Sequence, residues 1–131
     1  MLTENLQIYK DTKELCRQLL IYQPNIPKMV RYGEYGKAVS LAFEAMDMVY
    51  VANSDASERL WSLVRYLQMM GGVRSRIALF TELRYLSPRQ SVCLSLMIEK
   101  VMKQATGWRN ASQRQSREAA SVTRESSPGK G

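Results

Sequence analysis

Apolar residues in this chain recur at steps of three and four, while the every-second-residue alternation of a half-buried strand is scarce. That rhythm confines the fold to helices carrying one apolar stripe each, and such stripes must close against one another. The stripe Leu6, Tyr9, Cys16, Leu19 and Leu20 predicts a first helix from Asn5 to Tyr22. Pro24 and Pro27 stop it and force an extended connection. Gly33 and Gly36 loosen the next segment, which is either a frayed first turn or a loop. A second helix follows over Lys37–Ala52, with Val39, Phe43, Met46, Val49 and Tyr50 expected on its core face.

Asn53-Ser54-Asp55 separates the second helix from the third. Ser54 or Asp55 can cap the new start, and Glu58 completes a capping-box pattern with Asp55. The third helix is expected to reach Leu86, on the series Leu60, Leu63, Leu67, Met70, Val73, Ile77 and Phe80. Gly71-Gly72 falls in its middle, as a kink or as a turn between two shorter helices. The apolar rhythm resumes with no inserted residues, which favours one bent, continuous helix. Ser87-Pro88-Arg89-Gln90 then places a capping serine, a proline at the first helical position and a glutamine able to bond back. This fourth helix is expected to end near Trp108 or Arg109. Residues 110–131 lack an apolar period and are expected to stay disordered. The expectation is an all-α, up-and-down four-helix bundle over 1–109 with a disordered, polar and basic C-terminal tail over 110–131.

Composition narrows the chemistry. Histidine is absent, which removes histidine general acid–base catalysis, histidine-activated nucleophiles and histidine metal sites. The two cysteines, Cys16 and Cys93, cannot hold zinc alone and read as buried free thiols. Asp55 and Glu58 read as capping groups, and no other carboxylates gather. Gly33–Gly36 is no phosphate loop, since no strand precedes it and no Gly-Lys-Ser/Thr follows. The chain is therefore expected to be no enzyme and to need no cofactor or metal. Met1–Lys10 is too polar for a signal peptide, and no apolar run approaches a membrane span, so a cytoplasmic location is expected.

The charge is lopsided. Residues 1–72 hold eight Lys/Arg and eight Asp/Glu, whereas residues 73–131 hold eleven and four, which accounts for the whole net charge of +7. A one-sided field of this kind attracts polyanions, nucleic acid first among them. On a helical wheel Arg89, Lys100 and Lys103 gather opposite Leu94, Met97, Ile98, Val101, Ala105 and Trp108, as a phosphate-contacting stripe would. On the third helix Arg65 and Arg76 share a face, Arg74 points nearly opposite to Arg76, and Arg84 lies between. Arg74 also sits close to the packing stripe, where a charge suggests a subunit interface or a lined channel. Tyr32 and Tyr35 are candidates for base stacking.

Tyr9-Lys-Asp-Thr-Lys-Glu-Leu15, Asn25-Ile-Pro-Lys28, Arg31-Tyr32-x-x-x-Gly36, an Arg-rich third helix, Leu86-Ser-Pro-Arg-Gln90 and Gly107-Trp108-Arg109 follow one another in order. Over residues 5–109 this succession resembles the four-helix-bundle family of the accessory variability determinant of diversity-generating retroelements. The proteins encoded in intervening sequences of ribosomal RNA genes belong to the same broad family. The resemblance implies a homopentameric barrel without catalysis of its own. Its implied partners are a reverse transcriptase and template-repeat RNA or its cDNA, in mutagenic retrohoming. It also implies that Arg74, Arg76, Arg84, Arg89, Lys100 and Lys103 form the nucleic-acid-binding set, and that Trp108 seals the end of the bundle. The tail after Arg109 and the Gly71-Gly72 pair depart from the family's pattern. An RNA-associated bundle without a polymerase partner and a scaffold for an acidic protein are the alternatives.

Overall fold

The computed structural model describes residues 1–125, with their side chains as far as Val122. Its helices are α1 (Gln7–Tyr22), the single turn α2 (Lys28–Arg31), α3 (Glu34–Ser54), α4 (Arg59–Glu82) and α5 (Pro88–Glu125). Short 3₁₀ turns at Thr3–Asn5, Gln23–Asn25 and Ala56–Glu58 lead into or join them. The four long helices form the expected bundle: α3 lies on α4, α4 on α5, and α1 closes the ring against α3 and α5. Among the described residues no helix is long and apolar enough to cross a membrane.

The clearest local signal is realised in full. Ser87 Oγ accepts from Gln90 N at 3.1 Å, and Gln90 Oε1 accepts from Ser87 N at 3.0 Å, a reciprocal box at the head of α5. At the head of α4 the box is only half made. Asp55 Oδ1 accepts from Ser57 N at 3.0 Å, but the Asp55 N–H is already committed to Val51 O, so Glu58 has no donor to return to. That side-chain cap sets off the 3₁₀ turn, and the α-helix proper begins at Arg59.

Helix α4 runs unbroken through Gly71-Gly72. A Cβ on Gly71 would meet nothing, whereas one on Gly72 would stand 3.1 Å from Leu41 Cδ1 of α3. Gly72 thus marks a close approach of the two helices. The rest of that seam is made the same way, because the buried face of α3 is Tyr35, Ala38, Ala42, Ala45, Val49 and Ala52. This corrects the expected core face: Phe43 and Tyr50 are exposed, and Val39 and Met46 are only half-buried. The facing helices supply the bulk, through Leu15, Leu19, Leu63, Tyr66 and Met70, and small residues on α3 make room for it. Each fully buried Leu or Ile contributes about 1.5–3 kcal/mol.

Buried tyrosines tie the bundle internally. Tyr66 and Thr12 share a hydroxyl–hydroxyl bond of 2.7 Å between α4 and α1, and the Tyr35 hydroxyl donates to Leu19 O. Desolvation pushes both phenol pKa values well up. Tyr35 is therefore a core residue and no candidate for stacking, whereas Tyr32 is exposed. Cys16 is buried, with its thiol pushed up to about 12 by burial, and Cys93 is partly buried; both are free.

Two ends differ from expectation. The third long helix stops at Glu82 and is closed by Arg84 in the left-handed region, φ 62°. Tyr85 N bonds Phe80 O at 2.9 Å and Arg84 N bonds Thr81 O at 3.0 Å, with the Phe80 and Tyr85 rings 6.5 Å apart. This is a Schellman ending with arginine where glycine is usual. The last long helix continues past Arg109 to Glu125, so residues 110–125 are helical where a tail was expected. No proline or glycine interrupts them, and a helix already formed extends without a new nucleation cost. Ser112 still packs against the bundle, and every residue from Arg114 to Val122 is exposed. The part of the expected tail over 126–131 lies outside the described residues.

Candidate nucleic-acid interface

The outward face of α5 is set by its core face. Leu94, Ile98, Val101 and Ala105 are buried, so residues half a turn away must point to solvent, and Arg89, Lys100 and Lys103 are exposed there as the wheel requires. They are not equivalent. Lys100 Nζ lies 3.5 Å from Asp11 Oδ1 of α1, whose carboxylate also accepts from Gln104 Nε2 at 2.8 Å and from Gln7 Nε2 at 2.9 Å. Burial works to raise the Asp11 pKa, and the bonds from Gln104 and Gln7 with the Lys100 charge outweigh it, holding the carboxyl below its ordinary value. Part of the Lys100 charge is thereby neutralised inside the fold. Arg89 and Lys103 form no ion pair among the described residues.

The same face carries two apolar side chains that the charge pattern overlooks. Val92 and Leu96 are 58% and 61% exposed, between Arg89 and Lys100 along the helix. The stripe is thus amphipathic, with cations bracketing an apolar patch. Charge alone does not reveal it, although both residues stand off the core series.

The four remaining candidates divide as well. Arg76 is structural: its Nε is 3.2 Å from Glu34 Oε2 and its Nη1 donates to Gly72 O at 3.1 Å, which stitches α4 to α3. Glu34 also pairs with Lys37 at 3.4 Å, and Lys37 first, then Arg76, holds its carboxyl below the ordinary value against weak desolvation. Arg74 follows buried Val73 yet is exposed, so within one chain it stays off the packing stripe. Arg84 is exposed at the end of α4, five positions before Arg89 in the first turn of α5, so the structure brings these two to one end of the bundle. A left-handed arginine costs about 1–2 kcal/mol relative to the right-handed form. Arg74, Arg84, Arg89 and Lys103 therefore stand without a carboxylate partner among the described residues, while Arg76 and Lys100 are bound to Glu34 and Asp11.

Further cations lie outside the predicted set. Arg114 and Arg117 are exposed on the projecting part of α5, where the sequence pattern predicts only a tail. Trp108 is half-buried and packs at the margin of the core, with the Arg59 guanidinium 5.8 Å from its ring centre. Among the described residues no group of three or more His, Cys, Asp or Glu could hold a metal ion. No protein-family model and no curated protein matches this chain.

Proposed function

We propose that this chain is a non-catalytic accessory protein of a diversity-generating retroelement. In this reading a basic oligomer, pentameric on the family's pattern, binds the reverse transcriptase together with the template RNA or its cDNA. The observation that carries the nucleic-acid part is the set of cations without a carboxylate partner among the described residues: Arg74, Arg84, Arg89 and Lys103 stand exposed on α4, α5 and their connection. That half of the chain also holds the whole net charge. Phosphate contact asks for uncompensated positive charge on a rigid scaffold, and base identity is not read by such contacts. Exposed Phe43 and Tyr50 on α3 and Trp61 on α4 offer apolar area that contact with other subunits would cover. Val92 and Leu96 favour a protein component at the α5 stripe, consistent with a polymerase partner.

The test is RNA binding across a salt series, comparing the native protein with Arg89→Glu/Lys103→Glu. Lys100 is left in place so that Asp11 keeps its partner. The native protein should show a steep linear fall of log affinity with log salt. Every phosphate that the variant no longer neutralises should flatten that slope by about 0.7–0.9. Equal binding and equal slope in the variant would remove the α5 stripe from the interface. Co-purification of a reverse transcriptase expressed with the protein decides between a retroelement role and an RNA-associated bundle without a polymerase.

A further inference from the structure

The opposite end of the bundle holds a polar cleft that none of the candidate cations line. Ser57 of the preceding 3₁₀ turn and Arg59 and Leu60 at the start of α4 face Ser112, Gln115 and Ser116 of α5 across a space of about 370 Å³. We propose that this cleft is a phosphate-binding site.

Arg59 is fixed in a receptive pose. Its Nε–H donates to Ala52 O at 2.8 Å and its guanidinium carbon lies 5.8 Å from the centre of the Trp108 ring, so both sides of the group are held. Its two terminal nitrogens make no bond to the described residues and form the edge that suits an oxyanion. Other anchored arginines are engaged differently: Arg31 donates from Nε and Nη2 to Ile26 O and Pro24 O, and Arg76 is paired with Glu34. Ser112 is the independent observation. It is only 6% exposed, and its Oγ is buried with no hydrogen-bond partner. A buried hydroxyl left unbonded costs about 1–3 kcal/mol, and this one stands in the wall of the cleft, where a turn of the side chain about χ1 would bring it to a ligand oxygen.

The lining also chooses the ligand class. Arg59, Ser112, Gln115 and Ser116 offer a fork, two hydroxyls and an amide, and among the described residues no carboxylate lines the cleft. Asp55 and Glu58 are nearby in sequence, but both are exposed, and Asp55 Oδ1 is engaged by Ser57 N and Oγ. That many donors exceed what the two oxygens of a carboxylate can use and match a phosphate. The phosphate can be a monoester, as on a nucleotide or an RNA 5′ end, or a diester of the nucleic-acid backbone. This site stands apart from the α5 stripe, at the other end of α4 from Arg84, and does not rest on the function proposed above.

The test uses the full chain with Trp61→Phe, which leaves Trp108 as the sole reporter of Arg59. Inorganic phosphate is titrated at constant ionic strength against chloride. A saturable change in Trp108 emission is expected with phosphate alone. Arg59→Gln should weaken it about tenfold or more, as removal of a charge-assisted bond does, and Ser112→Ala should weaken it several-fold. If Arg59→Gln fails to fold, Ser112→Ala decides, because alanine keeps the helix and removes only the hydroxyl. Oligoribonucleotides with a 5′-phosphate or a 5′-hydroxyl then separate the sources: preference for the former assigns a monoester, and equal, Ser112-dependent binding assigns the backbone. A Trp108 signal that follows neither phosphate nor RNA, or one unchanged in Ser112→Ala, overturns the proposal. RNA binding abolished only through Arg89 and Lys103, with the Trp108 response silent, sinks this site and leaves the α5 stripe standing.

Discussion

The two portions of α5 are the same helix held by different forces. From Pro88 to about Gln113 it is anchored by a capping box, a buried stripe and a bridge from Lys100 and Gln104 to Asp11. From Arg114 to Val122 no residue is covered, and only backbone bonds and intrinsic propensity hold the helix. The packed portion is legible by its period and the projecting portion is not, because propensity without a partner leaves no apolar rhythm to find.

The largest expected effect lies in the packed portion. Ile98 is 1% exposed in the middle of the core stripe. Ile98→Ala should cost about 2–5 kcal/mol of unfolding free energy, read from chemical denaturation. A cost below about 1 kcal/mol would mean that the stripe is loosely packed, and the contrast with the projecting turns would collapse.

Next comes the cap. Ser87→Ala removes one half of the reciprocal box and should cost about 1 kcal/mol of global stability. The effect should be global because the first turn of α5 is continuous with its packed stripe. A change confined to the exchange of the first-turn amides would show instead that this end frays independently of the core.

The Asp11 bridge gives a smaller effect with a pH signature. Its folded pKa is depressed, so its contribution is present above the unfolded value of about 3.9 and is lost as pH falls through the folded value. Asp11→Asn should therefore lower stability at neutral pH, and the difference from the native protein should shrink as the solution is acidified below roughly pH 4. An unchanged difference down to the acid limit would mean that the charge of Asp11 contributes nothing. The Lys100 partner is 63% exposed, so solvent screens the pair and its share of the effect is modest.

What can be read in advance follows from how local each feature is. The Ser87 box spans four residues, and its chemistry is written in the side chains of the first and last. Helix count and order follow from stripes and prolines. The buried face of α3 departs from expectation because hydrophobicity ranks Phe43 and Tyr50 above Ala42 and Ala45, while packing selects volume: α1 and α4 fill the space with leucines and Tyr66. The candidate interface is half legible for a related reason. A wheel shows which cations leave the core, but pairing depends on residues far along the chain. Glu34 reaches Arg76, and Asp11 reaches Lys100, only after the fold has formed. The Arg59 cleft is out of reach of the sequence pattern altogether, since it joins the start of α4 to a stretch of α5 that carries no apolar period.

The smallest expected effect on global stability is the one that bears most directly on the projecting portion. Ala119→Gly should lower local helix stability by about 1 kcal/mol and leave the global unfolding midpoint where it was. Amide exchange around residue 119 should quicken while exchange in the Leu94–Ala105 stripe stays unchanged, since local openings do not pass through global unfolding. That outcome belongs to a chain whose last turns are unsupported. If the midpoint falls with the local change, and falls further on dilution, these turns are docked on another copy, because only an intermolecular contact makes stability depend on concentration. The contrast within α5 would then describe the isolated subunit, and the exposed Arg114 and Arg117 would belong to a surface built by several chains.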